Sequence, residues 1–217
     1  MIIAIDGPSG AGKGTISRTL ADELAYRHID TGAMYRAVAW KALQENIPLA
    51  DGEAVAALAR RAAIVVEGRG VSIDGQDLTR AIRTPEIDRA SSAVARLPEV
   101  REVLVARQRD LGRSGNVVME GRDIGTVVLP DAELKIYLDA SEEERVRRRA
   151  SDTAHTGGQA GQTALAEAIK ARDTADSTRT ASPLSMAPDA IRIDTTSMSI
   201  IEVVEYILAI VKNIRDS

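Results

Sequence analysis

The 217-residue chain predicts a three-layer α/β fold built on a parallel sheet. Three observations point there. Short apolar runs alternate with stretches of helical periodicity, the length suits one α/β domain, and a glycine-rich turn lies where the first run meets the first helix. Ile2–Ile5 opens the alternation, and a helix follows from about Gly12. His28–Asp30 comes next, then a helix over Ala33 to Leu43. A further helix covers Glu99 to Arg109, and the runs Val117–Met119, Leu134–Leu138 and Ile191–Ile193 lead to a closing helix from Ile200. Hydrophobic residues at 44% and charged residues at 28% are ordinary for a globular chain with a real core.

Two segments break the alternation. Ile64 to Leu78 reads as two short strands with a Gly-Arg-Gly turn and a second turn at Asp74-Gly75, a small antiparallel insertion. Arg145 to Arg179 combines a basic helix (EEERVRRRA), a Gly-rich polar patch (HTGGQAGQ) and a second charged helix from Leu165 to about Thr174, the pattern of a mobile lid. The expected organisation is a core of residues 1–63, 91–141 and 179–217, an inserted subdomain at about 64–90 and a lid at about 142–178.

Composition excludes several classes of function. With no cysteine and only His28 and His155 as imidazole donors, neither a disulfide framework nor a structural zinc site is expected. The net charge of -4 argues against a surface for non-specific nucleic-acid binding. Met1 leads into the first apolar run without a basic, signal-like segment, and the longest apolar stretch, Ile200 to Val211, is short and interrupted by Glu202 and Glu205. A cytoplasmic, monomeric enzyme that engages neither membrane nor nucleic acid is the expectation.

The sharpest motif is Asp6-Gly7-Pro8-Ser9-Gly10-Ala11-Gly12-Lys13-Gly14-Thr15, between a predicted strand and a predicted helix. Glycines let the main chain curl its N–H groups around polyphosphate oxygens, the helix N-terminus adds a positive dipole, and Lys13 supplies a point charge at the β/γ-phosphates. This is a P-loop, with one departure: Gly14 separates Lys13 from the hydroxyl of Thr15. By itself the motif says NTP binding. No Asn-Lys-x-Asp run is present, and no ABC-type signature, so the switch and motor readings weaken. Arginines recur instead, at 36, 101, 122, 145, 148, 172 and 179. Two polyanions must approach each other when a phosphoryl group moves onto a phosphate, and fixed guanidiniums offset that repulsion.

Five ordered blocks then carry a family resemblance: DGPSGAGKGT (Asp6 to Thr15), DTGAMYR (Asp30 to Arg36), EGRDIGTVV (Glu120 to Val128), LDAS (Leu138 to Ser141) and RDTADSTR (Arg172 to Arg179). Over nearly its whole length the chain resembles bacterial cytidylate kinases, P-loop nucleoside monophosphate kinases. The resemblance implies direct in-line transfer from ATP to CMP or dCMP. It gives Ser92, Arg101 and Asp123 the task of reading cytosine, with Asp123 accepting from the exocyclic amine. Arg36, Arg122 and Arg179 would hold the acceptor phosphate, Arg172 and Asp176 the ribose, and Thr31 and Tyr35 would flank the monophosphate. Arg145, Arg148 and Arg149 share one helix face and would close on the ATP phosphates; Lys13, Arg122, Arg145, Arg148 and Arg179 form the expected catalytic set. Mg2+ is expected on the ATP phosphates, with Thr15, and Glu120 where the family more often has Asp, acting directly or through water. Spacing adds that Arg172, Asp176 and Arg179 stand at i, i+4 and i+7, on one face of a helix through them. The residues leave open a P-loop kinase for another acceptor such as UMP or AMP, and a non-catalytic ATP-binding regulatory or RNA-associated protein.

Overall fold

The computed structural model describes residues 1–68, 70–152 and 161–216. Five strands, β1 (Ile2–Asp6), β2 (Arg27–Asp30), β6 (Val117–Glu120), β7 (Leu134–Asp139) and β8 (Ile191–Asp194), form a parallel sheet in the order β2-β6-β1-β7-β8. Parallel strands are buried on both faces and therefore read as continuous apolar runs, which is why they were legible. Alternate side chains serve opposite layers. Ile3, Ile5, Val118 and Leu138 pack with Ile16 and Leu20 of α1 (Lys13–Leu24) and with Val203 and Ile207 of α8 (Ile200–Arg215). Ala4, Val117 and Met119 pack on the other face with Val105 of α5 (Pro98–Gly112) and with a π-helical turn at Ile124–Val128. The three layers expected from the sequence are present.

A separate core joins α2 (Thr31–Gln44), α3 (Gly52–Arg61), α4 (Pro85–Val94) and α5 to a small sheet. That sheet holds three antiparallel strands, β3 (Ile64–Glu67), β4 (Gly70–Ile73) and β5 (Gln76–Asp77), where the sequence reading gave two. Asp74 and Gly75 both have positive φ, 51° and 79°, the geometry of a tight two-residue hairpin turn, so the chain after them doubles back and pairs. A pair of exposed polar residues, Gln76 and Asp77, carries no strand periodicity to announce this.

Helix α6 (Glu142–Ala150) coincides with the predicted basic helix, while α7 (Gln162–Thr178) is longer at both ends than the predicted one. Much of the Gly-rich patch between them lies outside the described residues. Among the described residues, no helix is long and apolar enough to cross a membrane.

Candidate active site

All five parallel strands end at one edge of the sheet, and their C-terminal loops surround a cleft of about 1270 Å³. Such an edge is where open α/β sheets bind ligands. The cradle runs from β1 into α1. Gly7 has φ 147°, and a Cβ there would stand 2.0 Å from the Leu138 carbonyl oxygen, so only glycine lets the loop leave β1 against β7. Gly10, with φ 82°, lies against the Arg145 backbone of α6 in the same way. Ser9, Gly10, Gly12, Lys13, Gly14 and Thr15 line the cleft. Gly7 and Pro8 shape the turn behind them, and Ala11 is fully buried. Lys13 Nζ donates to the Pro8 carbonyl at 2.7 Å. Burial, then Arg122, drives the Lys13 pKa well below its usual value, and an anion in the cradle would favour its charged form.

The loop after β6 is fixed from inside. Asp6 closes β1 with its carboxylate buried, accepting from the N–H groups of Ile124 at 2.9 Å and Gly125 at 2.8 Å. Burial pushes its pKa up to about 6. This clamp sets the π-helical turn and with it the two residues just before, Arg122 and Asp123.

Asp123 is the hub of the wall across the cleft from the cradle. Arg101 of α5 donates to its Oδ2, and Arg179 Nη2 lies 3.3 Å from its Oδ1. Burial raises the Asp123 pKa while the two guanidiniums oppose that rise. Arg101 is 4% exposed, its carbon stands 5.7 Å over the Tyr35 ring, and its Nε and Nη1 have no hydrogen-bond partner. Buried donors without acceptors are costly and mark a place prepared for a polar ligand. Tyr35 borders this space with its phenol pushed up to about 12 by burial. Ser92 lines the cleft too, its hydroxyl donating to the Asp88 carbonyl one turn back at 3.1 Å.

The remaining arginines divide into those on the cleft and one behind it. Arg36, Arg122, Arg148, Arg149, Arg172 and Arg179 line it. Arg122 Nε pairs with Asp176 at 2.8 Å, and although burial works against that carboxylate, Arg122 and Arg172 keep its pKa low. Arg148 donates to Thr195 Oγ1 at 2.9 Å and to its carbonyl at 2.6 Å. Arg145, by contrast, holds the Ser9 carbonyl at 3.0 Å and the Asp173 carboxylate, and it is not part of the lining. Arg172 and Asp176 share a face of α7, but that helix ends at Thr178. Arg179 has extended φ/ψ of -63° and 140°, because the next segment folds back with Leu184 N–H on the Asp176 carbonyl at 2.8 Å; the turn carries the Arg179 guanidinium to Asp123.

Thr31 opens α2 and donates to the Glu120 carbonyl at 2.7 Å. The Glu120 carboxylate binds His28 Nε2 at 2.9 Å and lies beside the cradle, 3.4 Å from where a Cβ on Gly14 would be. Burial disfavours charge on His28, but Glu120 outweighs it and raises the imidazole pKa. Sequence reasoning treated His28 only as a possible metal donor and gave no part to Asp6, Asp88 or Asp173. Asp6 had a signal, since a carboxylate ending a buried strand must find donors. The other two lie on polar helical stretches that carry none.

A glycine-rich cradle between the first strand and helix of a parallel sheet, with a cationic cleft at the strand ends, defines a P-loop kinase. The fold agrees with that of a shikimate kinase from Bacteroides thetaiotaomicron, with a TM-score of 0.52 at 11% identity and 98% of both chains covered. The family model for cytidylate kinase matches residues 3–213. A cytidylate kinase of Caldanaerobacter subterraneus subsp. tengcongensis is 50% identical over 214 residues, 98% of this chain and 96% of that one. One from Bacillus subtilis is also 50% identical over 214 residues, 97% of this chain and 96% of its own length. The chain belongs to the cytidylate kinase family and is a phosphotransferase.

Proposed function

We propose that the protein transfers the γ-phosphoryl group of ATP to CMP and dCMP. The observation that carries this reading is that the phosphate cradle and the Arg101–Asp123–Arg179 cluster open onto a single cleft. Cytosine offers an amine donor beside a ring nitrogen and a carbonyl, and a carboxylate next to an arginine with unmet donors complements that edge. Uracil would turn an oxygen toward Asp123 instead, a mismatch of about 1–3 kcal/mol or more.

An acceptor phosphate oxygen attacks the γ-phosphorus, the bond to the β-phosphate bridging oxygen breaks, and ADP leaves. The acceptor is already anionic, so alignment and charge stabilisation suffice without a general base. Lys13 and the cleft arginines perform both tasks, Arg36, Arg122 and Arg179 on the acceptor phosphate and Arg172 with Asp176 at the ribose. Helices α6 and α7 act as a lid over residues 142–178 that brings Arg148 and Arg149 down and excludes water, while residues 64–90 form a small subdomain on the acceptor side. Arg145 works from behind, holding the Ser9 carbonyl.

Magnesium suits the oxygen donors present: the exposed Thr15 hydroxyl and the Glu120 carboxylate beside Gly14. No group of three acidic or imidazole side chains stands ready for a metal among the described residues, so the ion would arrive on the ATP phosphates and be held by one or two protein oxygens. When bound it neutralises phosphate charge.

ADP release measured with CMP, dCMP, UMP, AMP and GMP under identical conditions tests the reading. Strong signals with CMP and dCMP and a weak one with UMP are expected. Equal turnover of UMP would remove the base-reading role of Asp123, and no acceptor-dependent release would remove the kinase reading.

A further inference from the structure

Guanidiniums from three helices meet on one carboxylate that lies outside the cleft. Asp88, in the first turns of α4, accepts from Arg36 Nε of α2 at 3.1 Å, from Arg172 Nη1 of α7 at 3.1 Å, and from Arg149 of α6. Arg36, Arg149 and Arg172 all line the cleft. Asp88 lines instead an apolar crevice between α4 and α7. All four side chains are mostly shielded, with 16–19% of each exposed.

That placement fits support and argues against competition for substrate. A guanidinium has five N–H donors in a fixed fork, and each contact with Asp88 engages one nitrogen, which leaves the rest of the fork for a ligand. Arg172 Nε is buried and has no hydrogen-bond partner, so the array holds a donor that the protein does not satisfy. Three like charges in a shielded space repel one another unless a counter-charge holds them together. Asp88 supplies it, and Asp152 adds a more distant one, 3.7 Å from Arg149.

We propose that Asp88 is a positioning residue: it gathers Arg36, Arg149 and Arg172 into one array around the phosphate of the nucleoside monophosphate, with Arg149 reaching that phosphate from the lid and Arg172 bridging to it from the ribose, and in doing so ties α6 and α7 to α2 and α4. The proposal rests on the acceptor reading given above. It makes the approach of the lid helices and the ordering of the acceptor arginines one event, because a single carboxylate belongs to both.

Asp88→Asn keeps the shape and removes the charge. The KM for CMP is expected to rise about tenfold, with the KM for ATP changing less than about twofold, and calorimetry should show CMP binding weakened while cytidine, which lacks the phosphate, binds as before. Asp88→Glu retains the charge on a longer stem and is expected to raise the CMP KM about threefold, again selectively. An unchanged or lowered CMP KM, an equal rise for CMP and ATP, or equal weakening of CMP and cytidine would each overturn the proposal. Should circular dichroism show that Asp88→Asn does not fold, Asp88→Glu carries the test on the same terms. Absence of CMP turnover by the unaltered protein would remove the acceptor reading and this inference together; normal turnover with unaltered variants removes this inference alone.

Discussion

The two sides of the cleft are made of different material. The cradle is one contiguous stretch, Gly7 to Thr15, whose working groups are backbone N–H donors shaped by glycines, with Lys13 as the main side-chain contribution. The opposite wall is assembled from side chains on α2, α4, α5, α6, α7 and the loop after β6, held by three carboxylates: Asp123, Asp88 and Asp176. A backbone site is fixed by the path of the chain. A side-chain site is only as precise as the counter-charges that hold it, so its weak points are those acids, including one, Asp88, that lies outside the cleft.

The comparison is broken most severely on the cradle side. Lys13→Ala removes the one side-chain charge there and should lower kcat by about a thousandfold while the melting temperature stays near that of the unaltered protein. Near-normal turnover would show that the backbone donors suffice. On the other wall, activity and stability should fall together. Asp123→Ala strands Arg101 and Arg179 without their counter-charge in a buried place, which should cost about 3 kcal/mol in denaturant unfolding and abolish the preference for CMP over UMP. A stable variant that still prefers CMP would mean that neither the ion pairs nor the base contact matters.

The same division explains what the sequence disclosed. The parallel strands were legible because burial on both faces leaves an unbroken apolar signature, and the cradle because its glycines are clustered in one short stretch of the chain. The acceptor wall was legible only through its resemblance to a family. Ser92, Arg101 and Asp123 have no common spacing; Arg101 and Asp123 meet because α5 and the loop after β6 pack on the same sheet face, and Ser92 lines the same cleft from α4. Asp88 was invisible: one acid in the polar run Pro85-Glu86-Ile87-Asp88-Arg89 looks like any solvated helical charge until three guanidiniums from elsewhere arrive. Arg179 was placed on the wrong geometry for a related reason, since the fold-back of Leu184 onto Asp176 is a tertiary contact that helical spacing does not reveal.

Asp6 joins the two sides, since it ends the strand that launches the cradle and clamps the turn that carries Asp123. Its pKa is raised by burial from 3.8 to about 6, so the folded state holds a proton that the unfolded state has released over that window. Stability from this group is therefore greatest below about pH 4 and is lost as the pH rises through about 6, by no more than roughly 1.4 kcal/mol per pH unit for one proton. Asp6→Asn should lack that component of the slope when unfolding is followed from pH 4 to 7, and carboxyl NMR should find Asp6 titrating near pH 6. A slope identical to that of the unaltered protein would mean the carboxylate is not shielded as its contacts indicate.

The smallest expected effect is the most discriminating for the lid. Arg147 and Arg148 are neighbours on α6, both bind Glu144, and composition alone gives them equal weight. Both border the cleft, yet the Arg147 side chain is 73% exposed, whereas Arg148 is 23% exposed and anchored to Thr195. An exposed ion pair within one helix contributes about 0.3–0.5 kcal/mol, so Arg147→Ala should change neither KM nor kcat by more than about twofold. Arg148→Ala should lower kcat by at least about tenfold at the same thermal stability, because its loss would remove the fixed charge that the proposed function assigns to the phosphates. If the two variants behaved alike, the basic run would be a solvated helix whose charges act only in sum, and the lid would owe its function to shape.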